Sequence, residues 1–562
     1  MRSMPVARWL PGYRREWLRA DLVAGLTAAA VVIPKAMACA AIAGLPVETG
    51  LYTALAALLV YPLLGTSRPL SVTTTSAIAM LAAVQVAATT AQNPGVDPRA
   101  VAATLALLVG AVLVGARLLR LGFLANFISK PVLVGFEAGV GIVILIGALK
   151  SVLGLKFASH SSVGMLMELP ALLPNVHLPT LMVAAVGVVL LVGLPRLLPR
   201  LSAPLVWVAA SIAASALFAL QALGVKLVGV VPPGLPTLAW PDLTFAASLW
   251  PAALGIALMS FTESVAAART FWQRDDAPID ANRELFAVGI ANVAAAVAGG
   301  MPAGGGTSQT AVADKAGARS PMAQWVNAGA VLLTLLLLSG VIGLLPDPAL
   351  GALIGVSAIG MVKPSEFRAI AQVRRDELMW AVATLAGVVL IGTLQGILIA
   401  VVISVLTLMY QANHPPVYAG AYSRALGIFR RAGEDASDET FPGLLLLRTE
   451  GRLTFANAAN VAAKMQALIA QAQSPPRVIV LECGAIPDIE FTALLMLTDA
   501  EQNLRARGIS LWLAAVNPKL LALIKRTALG AALGPDRIFH NLPKALDAWQ
   551  HLNARMALAP GS

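Results

Sequence analysis

Residues 299–318, GGMPAGGGTSQTAVADKAGA, decide how the rest of the chain is read. Glycines and Pro302 open the stretch, a composition that a continuous helix does not carry. From Thr307 the sequence becomes helix-compatible, with Thr307, Ser308, Gln309 and Thr310 in the first turn. The pattern predicts a broken transmembrane segment whose helical half starts near the bilayer midplane. Such a start presents unpaired backbone N–H groups and the positive end of a helix dipole. Away from water that is an anion site. A loop between two spans would also hold these glycines. Against it stands a second weak stretch, SVTTTSAIAM from Ser71, where Thr73, Thr74, Thr75 and Ser76 open another short apolar helix. Two interrupted segments at matching places in two halves are the signature of an inverted-repeat transporter.

The surrounding chain is mostly apolar: 58% of its 562 residues are hydrophobic and 12% charged. Soluble domains carry about 25% charged residues, so most of the chain is expected in lipid. Apolar runs of roughly 17 to 25 residues can cross a bilayer. They predict fourteen spans within residues 21–411, seven plus seven, with the third, tenth and twelfth short. The net charge of +11 does not point to nucleic acid. With the N-terminus inside, fifteen Lys and Arg fall in inner loops and four (Arg99, Lys150, Lys156 and Lys226) in outer ones. That is the positive-inside pattern of a multi-pass protein of a cell (inner) membrane. Residues 1–20 carry Arg2, Arg8, Arg14, Arg15 and Arg19 around Trp9, Tyr13 and Trp17, which reads as a cytoplasmic interfacial helix on membrane lipid. No cleavable signal peptide is visible, and Cys39 and Cys483 lie in different regions, so no disulfide is expected.

After Tyr410 the composition changes. Residues 412–440 read as a polar linker, with Pro415–Pro416 and the acidic Glu434, Asp435, Asp438 and Glu439. Residues 441–555 read as one small cytoplasmic α/β domain. GLLLLRTEG, RVIVLECG and ISLWLAAV alternate with helices at 457–472, 491–507 and 518–528, predicting a mixed sheet with helices on one side.

Three strings resemble the SulP (sulfate permease) family of anion transporters: DLVAGLTAAAVVIPKAMACAAIAGLP from Asp21, GLYTAL with LLGTSRPLSV up to Val72, and GGMPAGGGTSQTAVADKAGARSP from Gly299. ESVAAARTF from Glu263 is similar to the family's eighth span, and the C-terminal domain resembles a STAS domain. The resemblance implies a uracil-transporter-like fold with a core domain (spans 1–4 and 8–11) and a gate domain (spans 5–7 and 12–14). Substrate would sit between the starts of the third and tenth spans, and the core would move against the gate as an elevator. A homodimer is implied as well.

Ionisable residues deep in a span are costly and default to functional candidates. Setting span ends aside, these are Lys35, Glu137 and Glu263. Lys35 stands where the family often has Gln or Glu, and Gln309 where many relatives have Arg. Lys35 is therefore expected to attract the anion, or alternatively to pair with Glu263. A carboxylate away from water is costly to keep charged without a cation, so Glu263 is the candidate for a coupling proton, preferred here to sodium. Glu137, on the implied gate, faces the substrate path or is a structural carboxylate. The uncharged candidates are Thr73, Thr74, Thr75, Gly306, Thr307, Ser308 and Gln309, and at least one threonine is expected to cap a helix. The family usually has Gly-Pro where this chain has Thr73-Thr74-Thr75, which opens the choice of substrate. Asn282 and Asn292, flanking the ninth span, read as structural. In the STAS-like domain Glu490 takes the place of the antagonist-type Asp and Thr492 that of its hydroxyl, a phosphorylation candidate or a cap.

His160, His177, His414, His540 and His551 are scattered and form no metal-ligand pattern; no nucleophile triad or P-loop is present. An enzyme, a cofactor and ATP-driven transport are not expected. The favoured function is secondary active transport of an inorganic oxyanion, sulfate first, by proton symport. Bicarbonate or a dicarboxylate, anion exchange or a channel-like conductance, and a regulatory membrane protein signalling through its STAS-like domain remain alternatives.

Overall fold

The computed structural model describes residues 9–126, 129–159, 161–198, 201–236, 241–274, 276–423, 428–433 and 438–558. Arg2, Arg8, His160, Arg200, Glu434 and Asp435 lie outside them. Two compact units are formed, Met1–Ser404 and Val405–Ser562.

The first unit is helical. Its first half contains α1 (Leu18–Ile42), α2 (Val47–Leu64), the two-residue strand β1 (Val72–Thr73), α3 (Ser76–Gln92), α4 (Pro98–Leu118), α5 (Lys130–Leu153), α6 (Ser162–Leu172), α7 (Leu178–Leu197) and α8 (Ala203–Phe218). Its second half contains α9 (Ala246–Thr270), α10 (Ala281–Val297), the strand β2 (Gly304–Gly305), α11 (Thr307–Lys315), α12 (Met322–Leu337), α13 (Ser339–Ile342), α14 (Asp347–Ile359), α15 (Pro364–Val373), α16 (Arg375–Leu390) and α17 (Thr393–Asn413). Among the described residues seven helices are long and apolar enough to cross a membrane, and α3, α8 and α12 are shorter apolar helices.

Two packed groups stand out. One gathers α1–α4 with α9–α12, built on α10 against α4 and α2; the other gathers α5, α7, α14 and α16. Lipid tails are as apolar as leucine, so small residues that let backbones approach drive such packing. At Gly110 of α4 a Cβ would lie 2.7 Å from the Gly289 carbonyl of α10, and at Gly135 of α5 one would lie 2.0 Å from the Ala381 carbonyl of α16.

Several sequence expectations change here. The expected interfacial helix of residues 1–20 is replaced, where described, by short 3-10 turns at Leu10–Gly12 and Arg15–Trp17, and α1 starts at Leu18. Aromatic docking holds this segment: the Trp9 indole donates to the Pro62 carbonyl at 2.8 Å and packs edge-on against Trp325. The expected eleventh span at 321–345 is divided into α12 and α13. Asp21, Glu48 and Glu284, set aside as span-end residues, are buried. Glu284 accepts from the Tyr61 hydroxyl, from the Thr66 amide and from the Thr66 hydroxyl, so both oxygens of this buried carboxyl group are hydrogen-bonded.

The second unit is a six-stranded sheet in the order β4-β3-β5-β6-β7-β8, from β3 (Val417–Ser423), β4 (Ile428–Arg431), β5 (Leu444–Thr449), β6 (Val478–Glu482), β7 (Ser510–Ala514) and β8 (Ile538–Phe539). The four strands β5 to β8 run parallel. The expected linker 412–440 in fact supplies the antiparallel edge strands β3 and β4. They escape a reading by composition because an edge strand needs only a partly buried face; Arg430 on β4 closes the edge with an ion pair to Asp438 at 2.7 Å. The helices α18 (Ala458–Ala470), α19 (Phe491–Ala506), α20 (Pro518–Ile524) and α21 (Ala528–Leu533) enclose one apolar core. The expected helix at 518–528 is thus two helices. Helices also lie on both faces rather than one. From α22 (Leu542–Leu558), Leu542, Ala545, Leu546 and Trp549 bury against Leu444, Leu446, Val478, Val480 and Trp512. One set follows the helical period and the other the alternation of strands.

Candidate functional site

The two interrupted segments meet. β1 pairs with β2 antiparallel, Val72 opposite Gly305 and Thr73 opposite Gly304. Each two-residue strand leads into a helix after a short link, Thr74 and Thr75 between β1 and α3 and Gly306 between β2 and α11. Because the strands lie side by side and point oppositely, the two helix starts converge while their bodies diverge. Their positive dipole ends therefore share one region.

The backbone around β2 is pinned from several sides. Asn292 on α10 donates to the Ala303 carbonyl at 3.0 Å and accepts from the Ala303 amide at 2.9 Å. Ser264 on α9 accepts from the Gly305 amide at 2.7 Å, and Thr53 on α2 from the Met301 amide at 2.8 Å. Glycine is required at 305: a Cβ there would lie 2.8 Å from the Ser264 Cα. Asn282 accepts from the Gly122 amide at 2.9 Å, away from this crossing.

The two helix starts differ. The Thr75 side chain caps α3, accepting from the Ile78 amide. The N-cap of α11 is Gly306, which offers no side chain. Among the described residues no acceptor is recorded for the amides of Thr307, Ser308 and Gln309, and Thr307 and Ser308 are exposed. Lys35, half-buried on α1, reaches this uncapped end: its Nζ donates to Ser308 Oγ at 2.6 Å and to Gln309 Oε1 at 2.8 Å. The Gln309 side-chain Nε2 donates to the Thr73 hydroxyl, so Lys35, Gln309 and Thr73 form one chain of hydrogen bonds between the two interrupted segments. The buried Thr74 hydroxyl has no partner among the described residues.

Glu263 on α9 accepts from the Thr75 hydroxyl at 2.8 Å. The alternative ion pair between Lys35 and Glu263 does not form, since Lys35 is turned to α11. Glu137 is hydrogen-bonded to neither and pairs with Lys363 at 3.5 Å, yet lies near enough to Glu263 for the two carboxyl groups to act on each other electrostatically. Thr492, in the first turn of α19, is exposed and holds no recorded hydrogen bond, so it is not a cap; Glu490 accepts instead from the Phe455 amide at 3.1 Å. Sequence reasoning missed the supports, Thr53, Ser260 and Ser264. Ser260, on α9, donates to the Ala303 carbonyl at 2.6 Å. The spacing of Ser260 and Ser264, one helical turn apart on a face otherwise apolar, was the available signal.

Residues 18–384 match the sulfate permease family and residues 435–545 the STAS domain. A probable sulfate transporter of Mycobacterium tuberculosis is 36% identical, covering 98% of this chain and 99% of its own. The fold resembles the murine Solute Carrier 26 family member A9 anion transporter in the inward-facing state (TM-score 0.87, 22% identity, 97% of this chain and 94% of that one). It also resembles the transmembrane domain of the cyanobacterial bicarbonate transporter BicA (TM-score 0.60, 22% identity, 69% of this chain and 98% of that one). The chain belongs to the sulfate permease family of membrane transporters, and it ends in a STAS domain.

Proposed function

We propose that the protein is a secondary transporter of an inorganic oxyanion, sulfate first, which binds at the start of α11. One observation carries this reading: the Lys35 ammonium lies at the end of α11 where no side chain caps the helix. A tetrahedral oxyanion would take the open amides of Thr307 and Ser308 and the hydroxyls of Ser308 and Thr307. Lys35 would turn from Gln309 to the ligand, and the charge-assisted bonds so formed are among the stronger ones. Thr73 and Gln309 would position rather than bind.

Glu263 is the proposed proton carrier. It holds the Thr75 hydroxyl and lacks a cation within ion-pair distance among the described residues. Proton binding there would act on the substrate site through Thr75, which caps α3. The group around α10 would serve as the moving core and the group around α5 as the gate, in an elevator cycle. The fourteen-span inverted repeat and the homodimer belong to the same reading. The antiparallel crossing of β1 and β2 supports the repeat.

The test is uptake of ³⁵S-sulfate into proteoliposomes of purified protein, with and without an inward proton gradient. Saturable uptake stimulated by the gradient is expected, and unlabelled bicarbonate or fumarate should not compete. Competition by either would transfer the site to that anion. Stimulation that persists in Glu263→Gln would remove the proton role of this carboxylate.

A further inference from the structure

Positive charge on the outer side of a membrane protein runs against the usual bias. Here the exceptions are not scattered. Of the four outer cations, Arg99 is neutralised by Glu48 at 3.7 Å and Asp97 at 3.6 Å. The other three, Lys150, Lys156 and Lys226, all line one cavity of about 1240 Å³. All three are exposed, and among the described residues none has a carboxylate within ion-pair distance. Among the described residues Asp347 is the one acidic residue lining the same space.

The placement is asymmetric. One wall comes from α3 (Met80 to Thr90) and from the turn joining α1 to α2 (Ala41 to Val47), and it is uncharged. The lysines come from other lining segments, the end of α5 with the chain after it and the stretch around Lys226. Lys150 lies in the last turn of α5 and Lys156 follows it. Lys226 is fixed by its carbonyl, which accepts from the Asp347 amide at 2.8 Å. The His177 amide ties the start of α7 back to the Leu153 carbonyl at 3.1 Å, so separate loops present their charges to a common volume. A concave space with low-dielectric walls and charge of one sign focuses its field and raises the local concentration of the counter-charge.

We propose that this cavity is an outer anion vestibule in which Lys150, Lys156 and Lys226 concentrate small oxyanions before they reach the α11 site. The cations sit beside α5 and α14, not on the helices that carry Lys35, Ser308 and Gln309. They therefore raise the rate of arrival without holding the anion once it has entered. The identity of the anion rests on the transport reading above; the charge of the vestibule does not.

The first measurement is independent of transport. Both native cysteines are buried, so Ser151→Cys, whose position lines the cavity, gives one reactive thiol in the full chain in intact cells. It is modified from outside with a methanethiosulfonate bearing either a sulfonate or a trimethylammonium group. Replacing the three lysines by Gln should lower the sulfonate-to-trimethylammonium rate ratio about fivefold at low ionic strength. Replacement by Arg should leave it unchanged. An unchanged ratio in the Gln variant, or no labelling from outside, overturns the vestibule.

The second measurement is initial sulfate uptake by the same cells without the added cysteine. The Gln variant should show a KM raised about fivefold and a flattened dependence on salt, with maximal velocity retained. An unchanged KM and salt dependence with a normal rate ratio loss would confine the lysines to reagent attraction and overturn their role in substrate delivery. Absence of sulfate uptake by the parent, beside the expected loss of the rate ratio, would count against sulfate and leave the vestibule standing.

Discussion

At the level of a single residue, Lys35 leaves the start of α11 uncapped and adds a positive charge to it: its ammonium donates to Ser308 and Gln309 side-chain oxygens, where a cap would accept from the open amides. Replacing it by Gln keeps a donor and removes the charge. Lys35→Gln is expected to raise the KM for sulfate about tenfold, the weight of one charge-assisted hydrogen bond of roughly 1.5 kcal/mol. Uptake kinetics check this, and an unchanged KM would remove Lys35 from the binding set. Cys483, in the STAS domain, makes a different prediction. Burial pushes its thiol from 9.0 up to about 12, with Glu482 adding to the effect. As pH rises through 9 the unfolded chain gives up this proton and the folded domain does not. Folded stability from this group is therefore lost progressively across pH 9 to 12. In the native protein at pH 9 Cys483 should resist an alkylating reagent that labels it rapidly in denaturant; equal rates would contradict its burial.

At the scale of elements the crossing of β1 and β2 is what makes two half-helices one site. Gly306, between β2 and α11, is where added bulk would meet the candidate site. A Cβ there would fall 2.4 Å from Gln309 Cδ. The glutamine side chain is flexible, so Gly306→Ala should displace it from Thr73 and Lys35 without unfolding the protein. Transport should drop by about tenfold or more, as a misplacement near 1 Å commonly costs, with the melting temperature near that of the parent. A fully active Gly306→Ala variant would show that the chain from Lys35 through Gln309 to Thr73 is dispensable. The interrupted segments, the glycines and the hydroxyl-rich helix starts were legible in the sequence because they break local rules of helix composition. The unequal capping of α3 and α11 was not, since Thr75 and Gly306 differ in hydrogen bonding only once the backbone directions are known.

At the scale of the whole molecule the C-terminal unit depends on α22, which the sequence reading passed over. Trp549 is 7% exposed and packs against Phe441. Trp549→Ala should destabilise this unit by about 3–5 kcal/mol, seen in the full chain as earlier proteolysis of residues after 412. Unchanged proteolysis would deny α22 that role. Composition, charge distribution and the strings from Asp21 and Gly299 determined that this is a multi-pass membrane protein with an appended α/β domain, because hydropathy and loop charge act locally along the chain. They also named Lys35, Glu263 and the threonines, because polar groups in lipid-length runs are conspicuous. Partnership was decided by the tertiary structure alone. Lys35 meets Ser308, 273 positions away, Glu263 meets Thr75 and not Lys35, and the outer lysines share one cavity. Such pairings depend on how packed helices bring distant residues within a hydrogen bond or a Debye length of each other, and no local pattern of sequence encodes that distance.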